Sequence, residues 1–387
     1  MLVRSSRLSC LLVVAALVPA CGSVQQLPED FVTTEHQETR TQLMIDQAER
    51  ALNAGDVGMA SARIQEIAAG LSSNAHGQLV MARTLIAKGQ FLEAGEMLTL
   101  LAEAFPDEAE VDIVIGTLAE ARARWEMARV AYGRALEKAP ESVSAVLLLA
   151  RIELVLGLPA NAAALLERKL AVLPNVRELQ EALGEAYLAG GDYELAAEWY
   201  SVALDHDPQV GPLRVRLAFA QSLSGQHLEA LRTIREVSET EVPPYVELAL
   251  ARSALIVDEA EEAVFWLDRY LNAFPDDVSA WVDLARAHLL QDGDRASLEA
   301  LRSALRLDPG RADALLILGH LRMRAGQHQL AMDTYLEALR LGADAAELAP
   351  VLEALIQRSG EGGSAERPSG VALQVLSALG GSGGAGS

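Results

Sequence analysis

The sequence predicts an all-α solenoid of about nine helix-turn-helix units in tandem, closed by a C-terminal capping helix. Three observations lead there. Proline recurs at Pro106, Pro140, Pro174 and Pro208, each 34 residues after the last, and Pro275 and Pro309 repeat the interval. Laid out on that period, one phase holds only Gly or Ala: Ala48, Ala82, Gly116, Ala150, Gly184, Ala218, Ala251, Ala285 and Gly319. A second phase reads Ala60, Ala94, Ala128, Ala162, Ala196, Ala230, Ala263, Ser297 and Ala331. Finally, hydrophobic residues make up 51% of the chain but aromatics only 4%, a balance suited to small-residue helix packing rather than to sheets built on Val, Ile, Tyr and Phe.

The unit is clearest between Glu181 and Pro208. Gly184 lies on a first helix and Ala196 on a second, and small side chains at the crossing let ridges of one helix settle into grooves of the other. Gly191 breaks the chain between them, since Gly enters the left-handed conformation without a Cβ clash, and Pro208 cannot continue the second helix. The run Leu183, Gly184, Tyr187, then Ala196, Tyr200, Ala203, then Pro208 resembles a tetratricopeptide (TPR) repeat. Gln180 stands where that family often has Trp. The resemblance implies a right-handed superhelix of stacked helix pairs.

Taken in order, Met1–Arg7 carries Arg4 and Arg7 and precedes an apolar run, Leu8 to Val18, too short for a permanent membrane span. Residues 1–20 read as a secretory leader. The run ends in Val18-Pro19-Ala20-Cys21, similar to a bacterial lipobox in which Cys21 is lipidated; an ordinary signal cut nearby, or an uncleaved anchor, is the alternative. Gly22 follows where an inner-membrane retention signal has Asp, so the resemblance points to the outer membrane of a Gram-negative cell. Residues 21–40 are expected to form an acidic tether, or from Glu29 on to extend the first helix.

Units are expected to start near residues 41, 75, 109, 143, 177, 211, 244, 278 and 312 and to fill 41–343. The inter-helix turn carries Gly55, Gly89, Gly157, Gly191, Gly225 and Gly326, and only Ala123, Asp258 and Asp292 depart. Pro275 follows Pro208 by 67 residues, one short of two units, which predicts a kink or shortened turn near Val242-Pro243-Pro244. A second-helix stripe, Ile64, Leu98, Tyr132, Leu166, Tyr200, Ile234, Leu267, Leu301 and Tyr335, reads as core. Residues 344–359 form the expected cap, required because a last repeat otherwise exposes its stacking face. Residues 360–387 are a Gly/Ser-rich tail with an apolar patch, 371–379, read either as an inert tail or as a docking peptide.

Composition narrows the function. The only cysteines, Cys10 and Cys21, lie in and at the end of the leader, leaving no thiol for a disulfide, zinc cluster or nucleophile. Net charge is −22, and −24 once Arg4 and Arg7 leave with the leader, so nucleic acid and anionic lipid are repelled. The seven histidines show no H-E-x-x-H spacing, and neither a phosphate-binding G-x-x-x-x-G-K-[ST] loop nor a G-x-S-x-G elbow is present. Acidic pairs such as Asp276-Asp277 read as helix caps. We therefore expect no catalytic residues, metal, cofactor or small-molecule substrate.

What remains is a surface. The TPR resemblance implies that first helices line a concave groove, with the second, fifth, ninth and twelfth positions of each unit facing it. This assigns Leu79, Ile113, Leu147, Val215, Leu248, Val282 and Leu316 to an apolar row, broken by Glu181. A second row carries Arg83, Arg151, Arg252 and Arg286 with Phe219 and His320. Such a trough suits a protein partner with aliphatic anchors and carboxylates, since a guanidinium holds a carboxylate bidentately; alternatively the arginines pair with Glu of the next repeat. The expected function is a non-enzymatic protein-binding scaffold on the periplasmic face of the outer membrane, resembling lipoproteins of pilus, secretion and exopolysaccharide-export machines. The alternatives are an adaptor for peptidoglycan hydrolases or a protease, and an unrecognised envelope enzyme.

Overall fold

The computed structural model describes residues 29–355, except 69, 70, 72, 73, 208, 209, 345–347, 349 and 353. The leader, Cys21, Pro208 and the 371–379 patch lie outside the described residues. Helices group into two compact units divided after Pro140, where the sequence suggested a single run over 41–343. The first holds α1 Glu29–Asn53, α2 Val57–Ile67, α3 Ala75–Ala87, α4 Phe91–Ala104, α5 Ala109–Ala121 and α6 Trp125–Lys138. The second holds α7 Val143–Val155, α8 Pro159–Leu170, α9 Arg177–Gly190, α10 Tyr193–Leu204, α11 Gly211–Leu223 and α12 His227–Ile234, then α13 Pro244–Ile256, α14 Ala260–Ala273, α15 Val278–Leu290, α16 Asp294–Leu307, α17 Ala312–Arg324 and α18 His328–Arg340. Each unit is a run of antiparallel helix pairs, an α-solenoid architecture.

α1 is 25 residues long and begins at Glu29, so the tether expected over 21–40 gives way to helix from that residue. Nothing between Glu29 and Ala54 is Gly or Pro, and so nothing there interrupts an α-helix. Residues 348, 350–352, 354 and 355 are helical, and Leu348, Leu352 and Leu355 are buried against Ala331, Met332, Tyr335 and Leu336 of α18.

Every pair turns through one left-handed residue. Gly55, Gly89, Gly157, Gly191, Gly225 and Gly326 have φ between 71° and 87°, and the three departures adopt the same conformation, with φ of 54° at Ala123, 60° at Asp258 and 55° at Asp292. Ala123 thus accepts a Cβ clash that Gly avoids, at a cost of roughly 1–2 kcal/mol. The residue lost between Pro208 and Pro275 is absorbed by the second helix of its unit: α12 has only eight residues, and a 3-10 turn, Glu239–Glu241, leads to Pro243 and Pro244 at the start of α13.

The crossings are the core. The nine second-helix stripe residues are at most 2% exposed. Where that residue is Tyr, the first helix has Gly opposite. A Cβ at Gly184 would come within 2.7 Å of the Tyr200 ring, and Gly116 and Gly319 face Tyr132 and Tyr335 in the same way. Where it is Ile or Leu, the first helix has Ala. Ser297, the exception among the second-helix alanines, is fully buried and donates to the Ala285 carbonyl at 2.8 Å, which satisfies its hydroxyl in the crossing.

In several units the fourth position ties neighbouring pairs together. Trp281 Nε1 donates to the Pro275 carbonyl at 2.7 Å, and Gln180 Nε2 donates to that of Pro174 at 2.7 Å. Gln in place of Trp therefore keeps the donor that holds the preceding loop. Gln78 does the same to Leu71, at 2.9 Å. Where the position is acidic and buried, an arginine on the following helix neutralises it: Arg134 on Asp112 at 2.8 Å and Arg269 on Glu247 at 2.8 Å.

Two tyrosine hydroxyls in the crossings, those of Tyr200 and Tyr335, have no protein partner among the described residues. Tyr132 differs, because its hydroxyl donates to Glu120. Burial disfavours the phenolate, raising Tyr200 and pushing Tyr335 up to about 12. An unfolded tyrosine ionises near pH 10, so the contribution is intact below pH 10 and stability falls as pH rises from 10 towards 12. Tyr335→Phe is expected to leave neutral-pH stability nearly unchanged, since the lost hydroxyl bonds nothing, and to flatten the alkaline loss measured by denaturant titration at pH 7 and pH 11. An unaltered slope would exclude Tyr335 as a contributor.

The Gly–Tyr crossing gives a sharper test. Gly184→Ala gains about 1 kcal/mol of helix propensity but overpacks the crossing by about 1–3 kcal/mol. The net expectation is a lower melting temperature. Adding Tyr200→Leu, which recreates the Ala–Leu pairing of other units, is expected to cost less than the sum of the two single changes. Strict additivity would show that the two residues do not set the spacing together.

Candidate functional site

The row of fifth positions divides by burial. Leu79, Val215 and Val282 are no more than 5% exposed and pack in the helix-stack cores, which corrects their expected place on an open groove. Ile113, Leu147, Leu248 and Leu316 are half-buried and keep apolar surface to offer.

The arginine row is largely engaged within the protein. In the first unit Arg83 pairs with Glu49 of the preceding pair at 2.8 Å and also reaches Asn53 at 3.3 Å. In the second unit Arg252 and Arg286 converge on Asp283, at 3.0 and 3.7 Å. The second sequence reading is right that arginines pair within the protein, but the partners are not Glu of the next repeat: Arg83 meets Glu49 of the preceding one, Arg252 meets an aspartate of the next, and Arg286 meets that aspartate on its own helix. These pairs are part-exposed, each worth roughly 0–1 kcal/mol. Arg151 is exposed. Phe219 packs edge-on against Tyr245, ring centres 5.0 Å apart, and His320 stands edge-to-face against Tyr335 at 5.5 Å, a packing role for that histidine.

Three first helices of the second unit, α7, α9 and α11, enclose a cleft of about 240 Å³. Leu147, Arg151 and Leu154 line it from α7, Glu178, Glu181 and Glu185 from α9, and Arg216 from α11. Glu181 is held by Arg177 at 2.9 Å, with Arg216 at 3.9 Å. The Tyr200 hydroxyl lies close enough to Glu185, Glu181 and Arg216 to feel their charges. Sequence reasoning placed Leu147 and Arg151 but missed the acidic edge. Its signal was available: Glu178 and Glu185 occupy the second and ninth positions of their unit, as Glu181 occupies the fifth. The cleft is therefore an apolar floor between a cationic and an anionic edge, suited to one or two aliphatic side chains of a partner chain whose flanks carry both charges.

Among the described residues, no group of three or more His, Cys, Asp or Glu is placed to hold a metal ion, and no helix is long and apolar enough to cross a membrane. His227 Nδ1 lies 3.0 Å from the Ser253 hydroxyl, but Ser253 is 1% exposed and out of reach of a substrate.

Residues 113–171, 156–210 and 295–346 match a family model described as tetratricopeptide repeat. The TPR repeat-containing protein YpiA of Bacillus subtilis (strain 168) is 21% identical over 255 residues, which cover 65% of this chain and 60% of that protein. The chain thus spans less than two thirds of that relative's length. Among solved structures, a tetratricopeptide repeat protein from Parabacteroides merdae ATCC 43184 aligns over 64% of this chain and 98% of its own, at 13% identity and a TM-score of 0.42. YrrB, described as a TPR protein with an unusual peptide-binding site, aligns over 48% of this chain and 95% of its own, at 17% identity and a TM-score of 0.42. Segments 113–210 and 295–346 thus match the tetratricopeptide-repeat pattern, and one helix crossing repeats through both units in an α-solenoid fold.

Proposed function

We propose that this protein is a non-enzymatic scaffold, lipid-anchored through Cys21 on the periplasmic face of the outer membrane, that supports assembly of an envelope machine such as a pilus, secretion or exopolysaccharide-export apparatus. The observation that carries the binding role is the α7–α9–α11 cleft. It sets half-buried leucine and exposed arginine side chains against a row of glutamates on rigid helices, and a solenoid presents such surfaces without needing a catalytic centre. Support for the address comes from the leader alone: Arg4 and Arg7, a short apolar run, and a cysteine after small residues. A single acyl chain binds membranes only marginally, so the anchor requires the fully acylated N-terminus that a lipobox implies.

Two experiments test the two halves. Cys21→Ser is expected to abolish labelling by radioactive palmitate and to move the protein from membrane to soluble fraction; retention of both properties would remove the anchor. For the cleft, in-cell cross-linking is expected to yield channel, pilus or polysaccharide-export subunits with the wild type. Leu147→Ser combined with Leu154→Ser should lower that yield by about tenfold, as loss of a central apolar anchor does, with the melting temperature measured alongside. Undiminished capture by a folded double variant would move the binding site elsewhere, and capture of cell-wall hydrolases instead would replace the machine by the adaptor role.

A further inference from the structure

We propose that the α5–α6 hairpin of the first unit carries a second docking surface, whose occupant is an amphipathic segment presenting aliphatic side chains flanked by carboxylates. A cavity of about 360 Å³ opens there, with Ile115 and Leu118 of α5 and Met127 and Val130 of α6 as its apolar lining and Arg122 and Arg124 at its edge. On the α4 side Gly95 brings bare backbone up to Leu118: a Cβ at that glycine would lie 3.7 Å from the leucine methyl. Arg122 follows the groove residue Ile113 by nine positions, which is about half a turn around the helix at 3.6 residues per turn. The surface is therefore distinct from the groove row.

The repeat itself shows that packing does not require these side chains. Met127 and Val130 are 56% and 57% exposed. In six of the other eight units at least one of the two corresponding positions is charged: Glu93 and Glu96, Glu198, Glu229 and Arg232, Glu262, Glu299, and Asp333. Stacking of helix pairs proceeds with charge at these positions; α2 also places exposed apolar residues there, Met59 and Ala62, and Met127 and Val130 are the bulkier pair. Exposed apolar surface rimmed by polar groups marks a contact site.

The rim's charge selects the partner. Arg134 is taken by Asp112 at 2.8 Å, and Glu126, the acidic residue of the lining, is taken by Arg129 at 3.3 Å. Arg122 and Arg124 form no ion pair among the described residues. Two uncompensated guanidinium groups beside an apolar floor, on a chain of net charge −22, match a segment whose aliphatic residues enter the cavity while its carboxylates meet the arginine forks. A lysine-flanked segment is repelled there.

The test uses the full mature chain and two fluorescent helix-forming peptides of about 18 residues, or five turns. Both carry leucines along one face, one flanked by Glu and the other by Lys. Anisotropy is expected to show the Glu peptide binding at least about tenfold more tightly, a difference near 1.4 kcal/mol. Met127→Glu with Val130→Glu should weaken it by about tenfold or more, and Arg122→Glu with Arg124→Glu should reverse the preference towards the Lys peptide. Leu147→Ser with Leu154→Ser in the second unit should change nothing, which separates this surface from the proposed cleft. Failure of the Glu peptide to bind, equal binding of both peptides, or loss only in the cleft variant would overturn the proposal. So would displacement by a peptide of residues 371–379, or a concentration-dependent dimer that covers the hairpin; these outcomes assign the surface to the chain's own tail or to a second copy.

Discussion

The distance at which the two helices of a pair cross is fixed by what faces what in the crossing, and the stacking of every further pair depends on it. Gly116, Gly184 and Gly319 sit against tyrosine rings with no room for a methyl group, while alanines at the same phase sit against Ile or Leu. A helix-interior glycine costs about 1 kcal/mol relative to alanine. Its placement opposite each of the three tyrosines of the stripe therefore reflects volume: the small residue and the large one trade space so that their sum stays near constant, as close-packed interiors demand. Constant spacing in turn lets one pair present the same face to the next, which is the condition for a solenoid to grow by nearest-neighbour contacts.

Between pairs, polar bonds add to the shared apolar core. The fourth-position donor to the preceding loop, supplied by Gln78, Gln180 or Trp281, fixes where one pair ends relative to the next. Burying a carboxylate at that position, as in Asp112 and Glu247, is tolerable only because Arg134 and Arg269 reach it. The same logic explains Glu120, the twelfth residue of its unit, a position where most units carry Leu, Ile or Met. It accepts the hydroxyl of Tyr132, a partner that Tyr200 and Tyr335 do not have. A charge that looks misplaced in the sequence is thus the satisfaction of a buried phenol.

The period, the turn residues and the core stripe were legible in the sequence because each is a local constraint repeated at a fixed phase. Even Ala123, Asp258 and Asp292, which break the glycine rule, keep the left-handed backbone, since the geometry of the turn outweighs the preference of one residue. The Gly–Tyr coupling was also legible, but only by reading two phases together. The groove was legible in direction and not in exposure. Fifth-position side chains share a bearing, yet Leu79, Val215 and Val282 are buried while Leu147 and Leu316 are not, because the neighbouring helix decides what is covered. Nor did the arginine row reveal its partners: Glu49 lies 34 residues from Arg83 and Asp283 lies 31 from Arg252, separations at which sequence carries no pairing signal without the fold.

A solenoid held together by nearest-neighbour contacts can change the surface of one pair without disturbing the others, so information about partners concentrates where a repeat departs from its siblings. The pair α9–α10 departs by placing glutamates at three groove positions. The pair α5–α6 departs by exposing Met127 and Val130 where six of its eight siblings carry charge. Neither change touches the crossing residues Gly116, Gly184, Tyr132 and Tyr200, which remain buried and interlocked. Recognition and stability are therefore carried by different side chains of the same helices. That separation is what allows two chemically different surfaces to be carried on one repeated fold.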